Sequence, residues 1–254
     1  MDEKYPRISV ITPNYNFEKY IERTITSVLD QKYPNLEYII YDGGSTDKSY
    51  EIIKKYDKYI SFHASEDDNG QTHALSKGFN RATGDILAWL NSDDTFQPGA
   101  LQKVADIYNF TKFDLLYGDS NKIDIHDKFL KRVKSKKTCL KAILYDQFAI
   151  PQMSSFWSKN FYEKVGGLDL DYKIIMDRAL YARFFSQTSI NVVRINDVLS
   201  NFRIHSEQSG SRYYETPYSV EKKRLISDYT SENIFDHLYY GFLFKNWARL
   251  LRVL

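Results

Sequence analysis

Apolar positions in the first half of the chain follow two alternating rhythms. Ile8 to Thr12 is a short β-rich run closed by Pro13 and Asn14. Over 17–31, Ile21, Ile25, Val28 and Leu29 then fall on one helical face. Tyr33-Pro34 stops that helix, because the residue before a proline is pushed out of α space. Leu36 to Tyr41 is apolar without a break, the pattern of a strand buried on both faces of a parallel sheet. Asp42-Gly43-Gly44-Ser45-Thr46-Asp47 turns the chain into a helix ending near Tyr56. The alternation continues with a strand at Ile60 to His63 and a helix at Thr72 to Ala82, closed by Thr83-Gly84. A strand at Ile86 to Leu90, a helix at Pro98 to Tyr108 and a strand at Leu115 to Tyr117 follow. Strict alternation of this kind predicts an α/β fold: a doubly wound, mostly parallel sheet with helices on both faces. Ligands of such sheets sit beyond the carboxyl ends of the strands. The polar clusters at 12–16, 42–47, 66–71 and 91–95 all fall there.

After residue 118 the rhythm changes. Asn121 to Ser135 reads as a polar hairpin around His126-Asp127, and residues 128–141 carry Lys128, Lys131, Arg132, Lys134, Lys136, Lys137 and Lys141. A solvated face and a phosphate- or membrane-facing patch both fit that charge. Residues 159–165 and 173–186 read as helices, Ile190 to Arg194 and Val198 to Ile204 as strands. From Ser231 to Leu254 the chain is helical and aromatic, with Lys245, Arg249 and Arg252 on one face and Trp247, Leu250, Leu251 and Leu254 largely on another. That is the pattern of a helix lying on a membrane surface. Packing on the protein's own body or on a second subunit, as in a homodimer, explains it equally well. The pattern divides the chain into a domain over 1–215 and a helical C-terminal extension over 216–254.

Composition narrows the classes. Of 254 residues, 43% are hydrophobic and 27% charged, which suits a packed core and argues against disorder. A net charge of +2 gives no electrostatic footprint for nucleic acid. The 21 tyrosines join flat apolar bodies to polar tips, which suits sugar-facing and interfacial surfaces. With Cys139 as the only cysteine, an intrachain disulfide and a cysteine zinc site are both excluded. Met1 to Arg7 lacks the apolar stretch of a signal peptide, and no run approaches the roughly 18 apolar residues of a membrane span. The expected location is the cytoplasm, with peripheral contact at the inner face of the cell membrane.

Several familiar sites are missing. The chain has no G-x-G-x-x-G after its first strand, no phosphate-binding G-x-x-x-x-G-K-[ST], no H-E-x-x-H and no G-x-S-x-G. Carboxylates at strand ends remain. In Asn91-Ser92-Asp93-Asp94 two adjacent carboxylates repel unless a cation or hydrogen bonds compensate. Mg²⁺ or Mn²⁺ bridging such oxygens to a diphosphate is one solution. Stabilising the start of the Pro98 helix is the other, and the motif alone divides evenly between them. Asp42 opens a glycine-bearing turn, where it could accept from an imide N–H or a ribose hydroxyl, or simply form an ordinary β-to-α turn.

The motifs in sequence resemble those of the family-two inverting GT-A glycosyltransferases. Ile8-Ser-Val-Ile-Thr-Pro-Asn-Tyr-Asn16 is similar to that family's opening strand, and Tyr41-Asp-Gly-Gly-Ser-Thr-Asp47 to its nucleotide-binding turn. Ser65-Glu-Asp-Asp-Asn-Gly-Gln71, Lys77-Gly78 and Ala82 to Asp94 resemble the segment leading to its metal motif. Gln152 with Phe156-Trp157, Gly166-Gly-Leu-Asp169, Met176-Asp177 and Arg203-Ile-His205 resemble its later elements, so the likeness spans about 7–210. The resemblance implies that Thr12, Pro13 and Tyr15 border the base and that Asp42 binds the uracil or ribose. It implies that Asp93, helped by Asp94 and His205, holds Mn²⁺ or Mg²⁺, and that Lys77 and Arg203 meet the phosphates. Asp177 would be the base, with Asp169 and Asp171 behind it. The implied partners are a UDP-sugar donor and a glycan or lipid-linked glycan acceptor. Gly43, Asn91, His73 and Arg178 stand where the family pattern is usually acidic. A non-catalytic nucleotide-sugar-binding protein of the same fold and a sugar nucleotidyltransferase are the competing readings.

Overall fold

The computed structural model describes residues 5–207 and 216–230. The amphipathic helix expected over 231–254 lies outside the described residues. The first strands are β1 (Ile8–Asn14), β2 (Leu36–Asp42), β3 (Phe62–Ser65), β4 (Ile86–Trp89) and β5 (Thr95–Phe96). Between them run α1 (Ile21–Leu29), α2 (Ser49–Lys55) and α3 (Gln71–Arg81). The second half contains α4 (Ala100–Thr111), β6 (Leu115–Ile123), β7 (Phe129–Val133), α5 (Leu140–Leu144) and β8 (Ser155–Ser158). It closes with α6 (Lys159–Lys164), α7 (Met176–Phe185), β9 (Val192–Arg203) and α8 (Thr216–Tyr229).

The described strands form one sheet in the order β3-β2-β1-β4-β8-β6-β9-β5, with β7 beside β6. β1, β2, β3, β4, β6 and β9 point one way, and β5, β7 and β8 the other. The expected doubly wound, mostly parallel sheet is therefore the one the chain builds. Its period-two alternation divides the core. Ile11, Ile39, Leu87 and Trp89 face one side, packed with Leu75 and Phe79 of α3 and Leu180 and Phe184 of α7. Ile8, Val10, Tyr38, Ile40 and Ile86 face the other, packed with Ile21, Ile25 and Val28 of α1 and Leu101 and Val104 of α4. Helix α3 approaches β1 so closely that a Cβ on Gly78 would stand 2.4 Å from Ile11 Cγ2.

The elements not anticipated are short or polar. β5 has 2 residues, too few for any periodicity. β8 reads Ser-Phe-Trp-Ser yet is buried throughout, because Ser155 Oγ donates to the Gln152 carbonyl at 2.6 Å and meets the Tyr181 hydroxyl at 2.6 Å. The two strands expected over 190–204 are one long β9, which pairs β6 with irregular register near Asp119. α8 packs Leu225 and Ile226 into the first core. No helix among the described residues is long and apolar enough to cross a membrane.

Candidate functional site

A cleft of about 1050 Å³ opens at the carboxyl ends of β1, β2 and β4. Pro13, Asn14 and Tyr15 line it from the end of β1, Gly43 and Gly44 from the turn after β2, and Asp67, Asp68 and Gln71 from the segment after β3. Asn91, Ser92 and Asp93 come from the end of β4, and Phe202 and Glu207 from the far side. Tyr15 is 58% exposed, a broad aromatic edge at the mouth.

Asp42 and Thr12 build the floor beneath this cleft and do not line it. The buried Asp42 carboxylate accepts from Asn14 Nδ2 at 2.6 Å, Ser45 Oγ at 2.5 Å, Ser45 N at 2.9 Å and Ser65 Oγ at 2.5 Å. Four donors fill the ordinary capacity of a carboxylate. Asp42 thus fixes the turn that bears Gly43 and Gly44, and a ribose or imide could reach it only by displacing one of those donors. Thr12 is fully buried, its hydroxyl 3.2 Å from that of Tyr38.

The end of β4 and the end of β9 meet at the cleft. Asp93 Oδ2 lies 2.9 Å from His205 Nε2. The imidazole packs against Tyr20 and Phe17, with ring centroids 4.7 and 5.8 Å away. Asp94 turns the other way, fully buried, with Oδ1 accepting from Arg203 N at 3.0 Å and Oδ2 meeting no donor among the described residues. Burial, then the neighbouring Asp93, hold the Asp94 carboxyl well above the usual carboxylate range. The expected pair of metal carboxylates is therefore split: Asp93 faces the cleft and Asp94 braces β9.

Arg203 and Lys77, expected at the phosphates, also stand outside the cleft lining. Arg203 is fully buried; Nε donates to the Asp93 carbonyl at 2.9 Å, Nη1 to the Asp124 carbonyl at 3.0 Å, and Nη2 pairs with Asp127 at 2.6 Å. It clamps the Asp93 loop to the β6–β7 turn. Lys77 Nζ is 2.8 Å from Glu66.

The three candidate bases separate by their partners. Asp169 pairs with Arg183 at 3.4 Å and Arg224 at 3.5 Å, and Asp171 with Arg224 at 3.1 Å. Asp177, half-buried in the first turn of α7, has no ion-pair partner among the described residues, and burial pushes its carboxyl up. It too lies outside the cleft lining. Helix α8 fixes this region. Glu221 accepts from the backbone N–H groups of Lys173 at 2.8 Å, Ile174 at 3.0 Å and Ile175 at 3.0 Å, the three residues that lead into α7. Asp146 gathers Arg178, Lys222 and the Tyr218 hydroxyl, and the Tyr172 hydroxyl donates to Asp228 at 2.8 Å.

Sequence reasoning marked 66–71 as a polar strand end without singling out Gln71. Its Nε2 donates to Asn91 Oδ1 at 2.7 Å, and Trp89 Nε1 donates to the same oxygen at 2.6 Å. A neutral Asn91 thus accepts two neutral donors at a place where a second carboxylate would crowd Asp93. Phe202, Glu207 and the α8 contacts carried no local signal, because each depends on pairing across a long stretch of chain.

The donor set fits a hard divalent cation only in part-protein form. Among the described residues no group of three or more His, Cys, Asp and Glu could hold an ion. His205 is buried behind Asp93 and stands outside the cleft lining; one carboxylate backed by one imidazole suits Mg²⁺ or Mn²⁺ when a diphosphate and waters complete the shell.

The family model for glycosyl transferase family 2 matches residues 9–193. A Bacillus subtilis (strain 168) protein named as a candidate teichuronic acid biosynthesis glycosyltransferase, TuaG, is 37% identical over 129 residues, covering 47% of this chain and 51% of that one. An uncharacterized glycosyltransferase of Haemophilus influenzae is 34% identical over 135 residues, covering 52% and 54%. The matched segment thus spans about half the length of these relatives. Among solved structures, S. aureus TarS 1–349 in complex with UDP-GlcNAc superposes with a TM-score of 0.73 at 19% identity, over 87% of this chain and 65% of that one. The Pyrobaculum calidifontis mannosyltransferase PcManGT, in complex with GDP-Man and Mn²⁺, gives 0.65 at 16% identity over 93% and 69%. At such identities the structural likeness speaks for the GT-A fold.

Proposed function

The chain belongs to glycosyl transferase family 2, and from that premise we propose that it is an inverting, metal-dependent transferase. It moves a sugar from a nucleoside diphosphate donor, a UDP-sugar, to an acceptor hydroxyl during synthesis of a surface polysaccharide or lipid-linked glycan. The observation that carries the reading is the cleft-lining Asp93 meeting the buried His205 imidazole at 2.9 Å. Solved neighbours of the same fold were captured with UDP-GlcNAc and with GDP-Man and Mn²⁺, which supports a nucleotide-sugar in that cleft.

In this reading Pro13 and Tyr15 border the base, and the turn held by Asp42 brings the Gly43 and Gly44 backbone close to the nucleoside. Asp93 and His205 would hold Mn²⁺ or Mg²⁺, whose charge offsets that of the leaving diphosphate. Asp177 takes the acceptor hydroxyl proton as the new C–O bond forms and the sugar–phosphate bond breaks, the electron pair leaving on the diphosphate. Its raised affinity for a proton suits that exchange.

Calorimetric titration with UDP and GDP, with and without Mn²⁺, tests the donor site. Manganese-dependent UDP binding that Asp93→Ala abolishes is the expected result, and no nucleotide binding under any condition sinks the assignment. The position of Asp177 outside the cleft lining favours one second reading, a nucleotide-sugar-binding protein without turnover. It would bind UDP identically and form no glycoside with any acceptor.

A further inference from the structure

The β6–β7 hairpin carries a surface that the donor site does not use. Lys128 in its turn, Lys131 in β7, and Lys134, Lys136 and Lys137 in the segment that follows β7 are all exposed, and none has an ion-pair partner among the described residues. The acidic groups nearby are already committed. Asp119 pairs with Arg132, Asp127 with Arg23 and Arg203, and Asp124 accepts from the backbone N–H groups of His126 and Lys128. Within the same loop and strand Ile125, Phe129 and Leu130 are 44%, 57% and 49% exposed.

Lysines on an edge strand have a bland explanation, since charge there blocks pairing with other chains. That account leaves the three apolar side chains unexplained. It would place polar residues at 125, 129 and 130 as well, because exposed apolar groups on an unpaired edge invite the association that the lysines discourage. Exposed apolar side chains flanked by the unpaired Lys128 and Lys131, with further lysines along the same chain, are the chemistry of an anionic bilayer surface, where side chains such as Phe and Leu enter the headgroup boundary while lysines meet lipid phosphates. We propose that the β6–β7 hairpin docks this protein on an anionic lipid surface.

The placement links docking to the cleft. Arg203 holds the hairpin turn through the Asp124 carbonyl at 3.0 Å and Asp127 at 2.6 Å, and holds the Asp93 carbonyl at 2.9 Å with the same guanidinium. A hairpin seated on a membrane therefore fixes the orientation of the Asp93 end of the cleft. The inference is independent of the proposed activity, because its test reads lipid binding alone.

The test is co-sedimentation of the full chain with vesicles of phosphatidylcholine, with and without phosphatidylglycerol, for wild type, Lys131→Gln/Lys134→Gln and Phe129→Ser/Leu130→Ser. Wild type is expected to sediment only with the anionic vesicles and to be released by salt. Each lysine near a charged surface contributes about a fivefold factor, so the double Lys variant should bind about 20–30-fold more weakly. The Phe129/Leu130 variant should also bind more weakly while keeping the same salt dependence. Far-UV circular dichroism and unchanged UDP binding would confirm that the fold is retained. Failure of wild type to sediment, equal binding to both vesicle types, or full binding by both variants would overturn the proposal. So would a concentration-dependent dimer in light scattering that the Phe129/Leu130 variant abolishes, which would assign the surface to a second copy.

Discussion

His205 Nε2 lies 2.9 Å from Asp93 Oδ2, joining two residues 112 positions apart at the ends of β4 and β9. Neither element alone makes a site. The pair exists because β9 runs beside β6 while Arg203, two residues before His205, is pinned by its own backbone N–H to Asp94 and by its side chain to the Asp93 carbonyl.

That dependence gives the first prediction. His205→Ala leaves Asp93 in the cleft but removes its partner, so cation-assisted nucleotide binding should weaken by about 10–100-fold. Calorimetry should show the loss only in the presence of Mn²⁺. A chelator should bring wild type down to the level of the variant. An equal loss with and without the ion would mean that His205 contacts the nucleotide instead.

Asp177→Asn keeps the shape of the α7 start and removes the proposed base. The rate constant kcat should fall about 10²–10⁴-fold while the donor KM stays unchanged. Burial raises this carboxyl, and it must lose its proton to act. The rising limb of kcat against pH should therefore lie above the ordinary range for aspartate, and the variant should lose that limb. Retained activity in Asp177→Asn would move the role to another group.

Glu221 would act on the proposed base only through the chain it caps, the N–H groups of Lys173, Ile174 and Ile175. Glu221→Ala strands the N–H groups of Lys173, Ile174 and Ile175, and should lower kcat more than it raises the donor KM. Glu221→Gln, which keeps one acceptor oxygen, should recover part of the loss. A uniform fall in melting temperature with kcat unchanged would make Glu221 purely structural.

The order of strands and helices was legible in the sequence because β1, β2 and β4 are apolar on both faces and each is followed by a helical stripe. The polar strand ends located the cleft for the same reason. Individual roles were harder to read. Arg203 and Asp94 look like ligand residues in a motif, yet β9 pairing draws both inward onto each other. Lys77 stands outside the cleft lining and pairs in space with Glu66. Asp169 and Asp171 are drawn into ion pairs by Arg224, which α8 brings back across the fold, and no local pattern announces that return.

Glu37 tests the acid stability of the sheet. Burial would raise its carboxyl, but Ser9 Oγ at 2.5 Å, Thr83 N at 2.7 Å, Thr83 Oγ1 at 2.7 Å and Arg7 at 3.0 Å outweigh that and hold it below the usual range. A carboxyl lowered in the folded state stabilises fully above its unfolded pKa of about 4.3, and the contribution is lost as pH falls through the lower folded value. Glu37→Gln replaces one acceptor oxygen with an NH₂ that faces donors, at a cost of about 1–3 kcal/mol. The difference in denaturation midpoint between wild type and variant should be full at neutral pH and shrink as pH drops below about 4.3. A pH-independent difference would remove the charge from the explanation.

Gly78 poses two opposing effects, and their magnitudes decide the outcome. Within a helix, Gly→Ala ordinarily stabilises by up to about 1 kcal/mol, because alanine loses less backbone freedom. Here the new Cβ would stand 2.4 Å from Ile11 Cγ2 and 3.2 Å from Cγ1, and Ile11 is fully buried in the first core. Its branched carbon cannot swing away as the end of a long side chain could, so either α3 or β1 must shift. Overpacking of this kind costs about 1–3 kcal/mol, enough to reverse the helix preference. Gly78→Ala should therefore destabilise, and β1 leads directly to Pro13 at the cleft, so UDP affinity should fall with it. Ile11→Ala removes both γ carbons and leaves a cavity on its own account. The double variant should be more stable than the sum of the two single losses allows, a coupling readable in a denaturant-melt cycle. Additive losses would show that the helix, and not the contact with Ile11, sets the requirement for glycine at 78.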